Sequence, residues 1–291
     1  MANNIWSDVS SIAQRIESDA IHIVREINFL EPLYTVFRDM SGMNTRRGYA
    51  YNSLTANTMG DDDDLTSQAF TPSADQTLTP YQIGAQVFVT DARAESDLPE
   101  QIITDSAREL GFAAGDKIMT DMVAELPNLT GGTVGTTGGT ITWSYVAAGI
   151  AQARAANKSA AVPLSYVLHG YQWAILAKAA NIAGASVSLV APKFQEGLTV
   201  GAQTSYCTTF MGVPIYQCFQ DSQTATSTDF TGGIFPREAL AIDWRRQIRV
   251  RPERDESRAG LELNMTGIYD VGAWRPARGV VMLFHANAPS S

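Results

Sequence analysis

The chain has 291 residues and a mass of 31.4 kDa, enough for one large or two modest domains, and its 45% of hydrophobic residues exclude wholesale disorder. A net charge of −9 excludes a nucleic-acid reader of the usual basic kind. No apolar run approaches the roughly 20 residues of a membrane span, Met1-Ala2-Asn3-Asn4-Ile5-Trp6 does not read as a secretory signal, and two cysteines, Cys207 and Cys218, are too few for a disulfide scaffold.

The charge is unevenly spread. Residues 1–150 hold 20 acids and 8 bases, a balance of −12, whereas residues 151–291 hold 10 acids and 13 bases, a balance of +3. Of the 21 basic residues 17 are arginines, whose planar fork suits buried and interfacial ion pairs. Solvated surface is the plain reading of such a distribution; attraction between the two halves of neighbouring copies is the sharper one.

In chain order, Ile5, Val9, Ile12, Ile16, Ala20, Ile23, Ile27 and Leu30 recur at helical steps, and Glu31-Pro32 ends the run. This predicts an amphipathic arm, packed on its own domain or on another chain. Residues 41–80 are polar and poor in large apolar side chains, and they include the run Asp61-Asp62-Asp63-Asp64. Ordering each residue costs about 1–2 kcal/mol, so a segment of this composition is expected to be disordered or held from outside. Tyr81–Thr90 alternates with Ile83, Ala85, Val87 and Val89 on one face, a strand. Paired with residues 44–57 it would make a long two-stranded finger, which needs support beneath it.

Residues 99–126 form the clearest helix, with Asp97 as cap, Pro99 in the first turn, and a stripe of Ile103, Ala107, Leu110, Ala114, Ile118, Met122 and Leu126. The Gly/Thr stretch 130–139 reads as a flexible turn region. Helices follow over 143–156 and 171–181, with strands over Tyr166–Leu168 and within 210–219. Near the end Ile242, Trp244, Ile248 and Val250 share one strand face, while Asp243, Arg245, Gln247, Arg249 and Arg251 share the other. Leu261, Leu263 and Met265 alternate, and Val280-Val281-Met282-Leu283-Phe284 is apolar enough for a strand covered on both faces.

Catalytic patterns are absent from this reading. His22, His169 and His285 have no partner at metal-ligand spacing, and Gly184-Ala185-Ser186-Val187-Ser188 misses the nucleophile elbow at its last position. The aspartate run departs from a calcium loop, with Thr66 and Pro72 where glycine and glutamate are required. The cysteines are expected to act as small core residues. The dense charge feature is Arg245, Arg246, Arg249, Arg251, Arg254 and Arg258, interleaved with Asp243, Glu253, Asp255 and Glu256. With acids nearly balancing arginines and only Trp244 aromatic, an ion-pair seam against another chain fits better than a nucleic-acid groove.

The order of parts resembles the major capsid protein of tailed bacteriophages, the Hong Kong 97-type shell fold. Three stretches carry the resemblance: Leu78-Thr79-Pro80-Tyr81 through Val89-Thr90-Asp91, similar to the family's return strand into the spine helix; Met211-Gly212-Val213-Pro214-Ile215, similar to its late axial strand; and Ala273-Trp274-Arg275-Pro276 through Val281, similar to its final peripheral strand. The resemblance implies an α+β fold with an N-terminal arm (1–41), an extended β-hairpin loop (42–93), a spine helix with part of a peripheral domain (94–130), an axial domain (131–235) and a β-rich return of the peripheral domain (236–291).

It further implies self-assembly into hexamers and pentamers of an icosahedral virion shell, built in the host cytoplasm around double-stranded DNA that is enclosed without sequence readout. No enzyme activity, cofactor, metal or membrane enters this expectation. Because no lysine precedes Lys117, a lysine link rooted in the extended loop is not expected. Scaffolding would come from a separate protein, alongside portal and decoration proteins. Arg46, Arg47, Asp61, Asp62, Asp63, Asp64, Arg245, Arg249 and Arg251 are expected at inter-subunit contacts. Three other readings stay open: an encapsulin-type cellular compartment, an α/β enzyme, and another phage structural part.

Overall fold

Alternating apolar side chains in 81–90 and 261–265 need a partner surface, and the long helix supplies it. The computed structural model describes residues 28–51, 54–61, 64, 67–92, 99–182, 205–220, 223–226 and 228–287. The predicted arm helix, Asp62, Asp63 and the cap Asp97 lie outside them. In chain order the strands are β1 (Thr35–Phe37), β2 (Arg46–Tyr51), β3 (Pro72–Leu78) and β4 (Tyr81–Thr90), followed by helix α1 (Pro99–Ala124). Then come β5 (Thr133–Thr140), α2 (Trp143–Ala156), β6 (Leu164–His169) and α3 (Gly170–Ile182). The chain continues through β7 (Tyr206–Phe210), β8 (Val213–Cys218), β9 (Thr224–Thr226), β10 (Asp229–Pro236), β11 (Leu240–Asp255), β12 (Gly260–Ala273) and β13 (Val280–His285).

The strands form three sheets. A four-stranded sheet has the order β1-β11-β12-β4, parallel at β1–β11 and antiparallel elsewhere. Its inner face, with Ile83, Ile248, Val250, Leu263 and Met265, packs on Leu110, Ala114, Ile118 and Met122 of α1. At about 1.5 Å per residue the 26 residues of α1 run about 39 Å. The Tyr34 hydroxyl donates to the Met122 carbonyl at 2.7 Å, satisfying an acceptor in the last turn of α1. The Tyr81 and Tyr269 hydroxyls both donate to Asp121 of α1, at 2.5 and 2.7 Å.

The second sheet runs β5-β13-β10-β6-β8-β7, with β9 on β10. Every residue of its central strand β10 is buried. The helix α2 starts at Thr142, whose hydroxyl accepts from the Tyr145 amide. It packs Val146, Ile150 and Ala153 against Tyr166, Ile234 and Met282. Gly149 lies so close to the sheet that a methyl group there would sit 2.7 Å from the Met282 sulfur. Cys207 and Cys218 are buried thiols, pushed up to about 12 and about 11 by burial.

Three expectations are corrected. The strand at 81–90 does not pair with 44–57; it joins β12, and β2 pairs instead with β3, in the segment expected to be disordered or held from outside. The Gly/Thr stretch is the strand β5 rather than a loose turn, because its hydrogen bonds go to β13 and the small residues permit close approach there: a methyl on Gly135 would meet the Leu283 carbonyl at 2.2 Å. Finally, Val280–His285 does not return to the four-stranded sheet. It lies between β5 and β10 in the other sheet, which pairs both its edges, and its two faces are covered separately: Val280, Met282 and Phe284 join the cluster with α2, and Val281 joins the cluster with α1.

Candidate functional site

The antiparallel pair β2–β3 stands apart as a two-stranded ribbon. Every described residue between Leu54 and Phe70 is exposed, including Leu54, Met59 and Phe70 at 58%, 48% and 60%. The Gln68 side-chain amide donates to the Thr55 carbonyl at 2.6 Å and accepts from its amide at 2.9 Å, bridging the loop in place of a strand ladder. Asp61 and Asp64 lie exposed in this loop.

The ribbon is gripped at its root. Arg46, first in β2, stands opposite Leu78, last in β3. The Arg46 guanidinium donates to Asp243 of β11 at 3.0 and 3.3 Å, pairs with Asp39, and lies 4.3 Å over the Phe37 ring. Phe37 meets Trp274 edge-to-face with ring centroids 5.1 Å apart, and Trp274 lies against Gly48. Just past Leu78, the Thr79 amide donates to Asp270 of β12 at 2.5 Å. The hydrogen bond from Arg46 holds the Asp39 carboxyl below the ordinary range.

The structure divides the expected contact residues into two groups. Arg46 and Arg245 point inward and converge on Asp243, which together with Arg245 has a fully buried side chain; their ion pair measures 2.7 Å. Arg47 and Arg251 are exposed and Arg249 half-buried, and none of the three has an ion-pair partner among the described residues. A single polar face from 243 to 251 therefore does not form. The ladder shifts between Trp244 and Arg246 and again before Arg249, two one-residue shifts that return Arg249, opposite Thr266, to the face that Asp243 shares with Asp270; what divides that face is the ribbon root, whose Arg46 covers its Asp243 end. Part of the arginine run is also neutralised within the chain: Arg254 forks onto Asp91 at 2.9 and 3.2 Å, and Arg258 pairs with Glu262 at 3.4 Å and covers the Phe88 ring.

Sequence reasoning missed Asp39, Asp270, Gly48 and Trp274 as parts of the root. The available signal was an acid inside each apolar run, Asp243 between Ile242 and Trp244 and Asp270 between Tyr269 and Val271. Such a charge must find a partner or lose its ionisation.

The long spine helix under an antiparallel sheet, the separate ribbon and the second mixed sheet together define the Hong Kong 97-type shell fold. The capsid of Ralstonia phage GP4 is similar at a TM-score of 0.66 with 10% identity, covering 89% of this chain and 88% of that one. The acid-stable capsid of Helicobacter pylori bacteriophage KHP30 is similar at 0.64 with 12% identity, covering 87% of each chain. The virus-like particle from Pyrococcus furiosus is similar at 0.59 with 12% identity, covering 92% of this chain and 98% of that one. No family model and no curated protein sequence matches the chain.

Proposed function

We propose that the chain is a major capsid protein of a tailed bacteriophage, self-assembling as hexamers and pentamers into the icosahedral head shell that encloses the double-stranded genome. The observation that carries this reading is the shell fold bearing an exposed ribbon loop whose Leu54, Met59 and Phe70 side chains are open to water. In the proposed shell this loop, which carries Asp61 and Asp64, lies on a neighbouring copy, and the outward Arg47, Arg249 and Arg251 face acidic residues across a subunit boundary. The region 131–235 surrounds the five- and six-fold axes. A separate scaffolding protein, a portal and decoration proteins complete the particle, which assembles in the host cytoplasm and is not an enzyme.

Electron microscopy of the purified protein tests this reading: closed polyhedral particles are expected, and a persistent monomer overturns it. The second reading, a cellular compartment of the encapsulin type, is not favoured by the comparisons, although the virus-like particle from Pyrococcus furiosus shares the fold. Particles from the native source that protect DNA from nuclease select the phage shell, and particles filled with a protein cargo select the compartment. With no lysine before Lys117, no lysine link from the extended loop welds the subunits, and detergent and heat are expected to release single 31.4 kDa chains.

A further inference from the structure

A strand at the edge of a sheet leaves half of its backbone groups without a ladder partner. Among the described residues the two large sheets end on β1, β4, β5 and β7. Of these, β1 has three residues and runs into Arg38 and Asp39, and β7 has five. The edge of β5 is interrupted by a register shift and by positive φ angles at Gly135 and Gly138. By contrast, the ten residues of β4 pair with β12 without a register shift, and none of them is charged or a proline. Natural edges are blunted by charges, prolines, bulges or shortness, and β4 carries none of these.

The direction of its free backbone groups follows from the register. One step beyond the Thr90–Gly260 pair, the Asp91 amide donates to the opposite Ala259 carbonyl at 2.9 Å, so that pair is of the hydrogen-bonded kind. Such pairs alternate along an antiparallel ladder, so the odd positions from Tyr81 to Val89 spend their backbone on β12. The Met265 and Val89 carbonyls accordingly lie between the two strands, close to Gly84 and Gly260. Gln82, Gly84, Gln86 and Phe88 turn their amides and carbonyls outward; the first three are exposed and Phe88 is half-buried.

We propose that this edge docks β4 of a second copy of the chain, paired antiparallel about a twofold axis at Ala85. In that register Gln82 meets the partner's Phe88 and Gly84 meets the partner's Gln86, and the reverse pairs follow by symmetry. The amides and carbonyls of all four outward residues are then used. Pro80, next in the outward series, has no amide to give and ends the ladder. On the face toward α1, Ile83 lies opposite the partner's Val87 and Ala85 opposite its own copy, so half-buried Ala85 and Val87 gain apolar cover. A twofold contact sets each residue near its own copy, and a charged strand repels itself there. In a chain of net charge −9, uncharged β4 is a place where two copies approach without that repulsion. The pairing needs only two copies and does not depend on the shell reading.

Ala85→Cys in the full chain, briefly oxidised with copper phenanthroline, tests it. Cys207 and Cys218 are buried, and the unaltered protein is the control. The introduced thiols would stand opposite each other at a non-hydrogen-bonded pair, with Cβ atoms about 4.5–5.5 Å apart. A band at twice 31.4 kDa is expected on a non-reducing gel. Gln82→Cys alone, about 20 Å from its own copy at about 3.3 Å per residue, is expected to give no such band. Gln82→Cys combined with Phe88→Cys is expected to restore it, and this double variant leaves Ala85 intact. No link in either the Ala85→Cys or the double variant, or equal linking in Gln82→Cys alone, overturns the proposal. Linked dimers without closed particles support the pairing and overturn the shell; closed particles without the link do the reverse.

Discussion

Gly48 of the ribbon lies against the indole of Trp274, and a methyl group on its Cα would come within 2.3 Å of Cη2. The ring cannot yield freely, because it also meets Phe37 edge-to-face, and Phe37 carries the Arg46 guanidinium on its face. Gly48→Ala is therefore expected to displace Trp274 and destabilise the protein by about 1–3 kcal/mol, the usual cost of overpacking. Chemical denaturation measures the loss, and a shift in tryptophan emission reports the displaced ring.

Asp243 is expected to be the most sensitive single position of the root. Its replacement by alanine leaves Arg245 fully buried without its carboxylate and removes the anchor of Arg46. Breaking a buried pair from one side costs about 3–5 kcal/mol. Asp243→Asn keeps acceptor oxygen in place and is expected to cost less. Thermal unfolding followed by circular dichroism ranks the two, and equal melting temperatures for both variants would contradict the charge argument.

The link between the N-terminal side of the fold and the spine helix rests on a phenol. Tyr34 is fully buried, and its hydroxyl supplies the Met122 carbonyl near the end of α1. Tyr34→Phe keeps the ring and its edge contact with Phe235 but leaves that carbonyl with the longer 3.4 Å bond from the Glu125 amide. A loss of about 0.5–1.5 kcal/mol is expected in urea denaturation.

Arg249 gives the opposite kind of test. It has no ion-pair partner among the described residues, so Arg249→Glu is expected to leave the unfolding midpoint of the isolated subunit unchanged while reducing particle yield. Individual exposed pairs are worth only about 0–1 kcal/mol, but a shell repeats them in every copy. Particle counts by electron microscopy beside the melting curve separate the two effects; normal yield removes the proposed electrostatic seam.

Much of the architecture was legible because periodicity is a local property. The stripe Leu110, Ala114, Ile118 and Met122 announced α1, the alternation in 81–90 announced β4, and the unbroken apolar run at 280–284 announced a strand covered on both faces. What each strand pairs with is not local. Pro72–Leu78 carries no apolar alternation, yet it is the partner of β2, because backbone hydrogen bonds to Arg46–Tyr51 are available whatever the side chains are.

The sequence by itself determined that a spine helix, a β-rich second half and an exposed acidic loop had to exist, and that the arginines outnumber lysines enough for forked ion pairs. Only the tertiary structure decided which charges turn inward. Arg245 and Arg249 look equivalent in the chain, but the ribbon root lies over the sheet where Arg245 meets Asp243, with Arg46 on the same carboxylate, whereas Arg249 has no ion-pair partner among the described residues. A period of two predicts which face a residue takes, not what a distant part of the chain lays over that face.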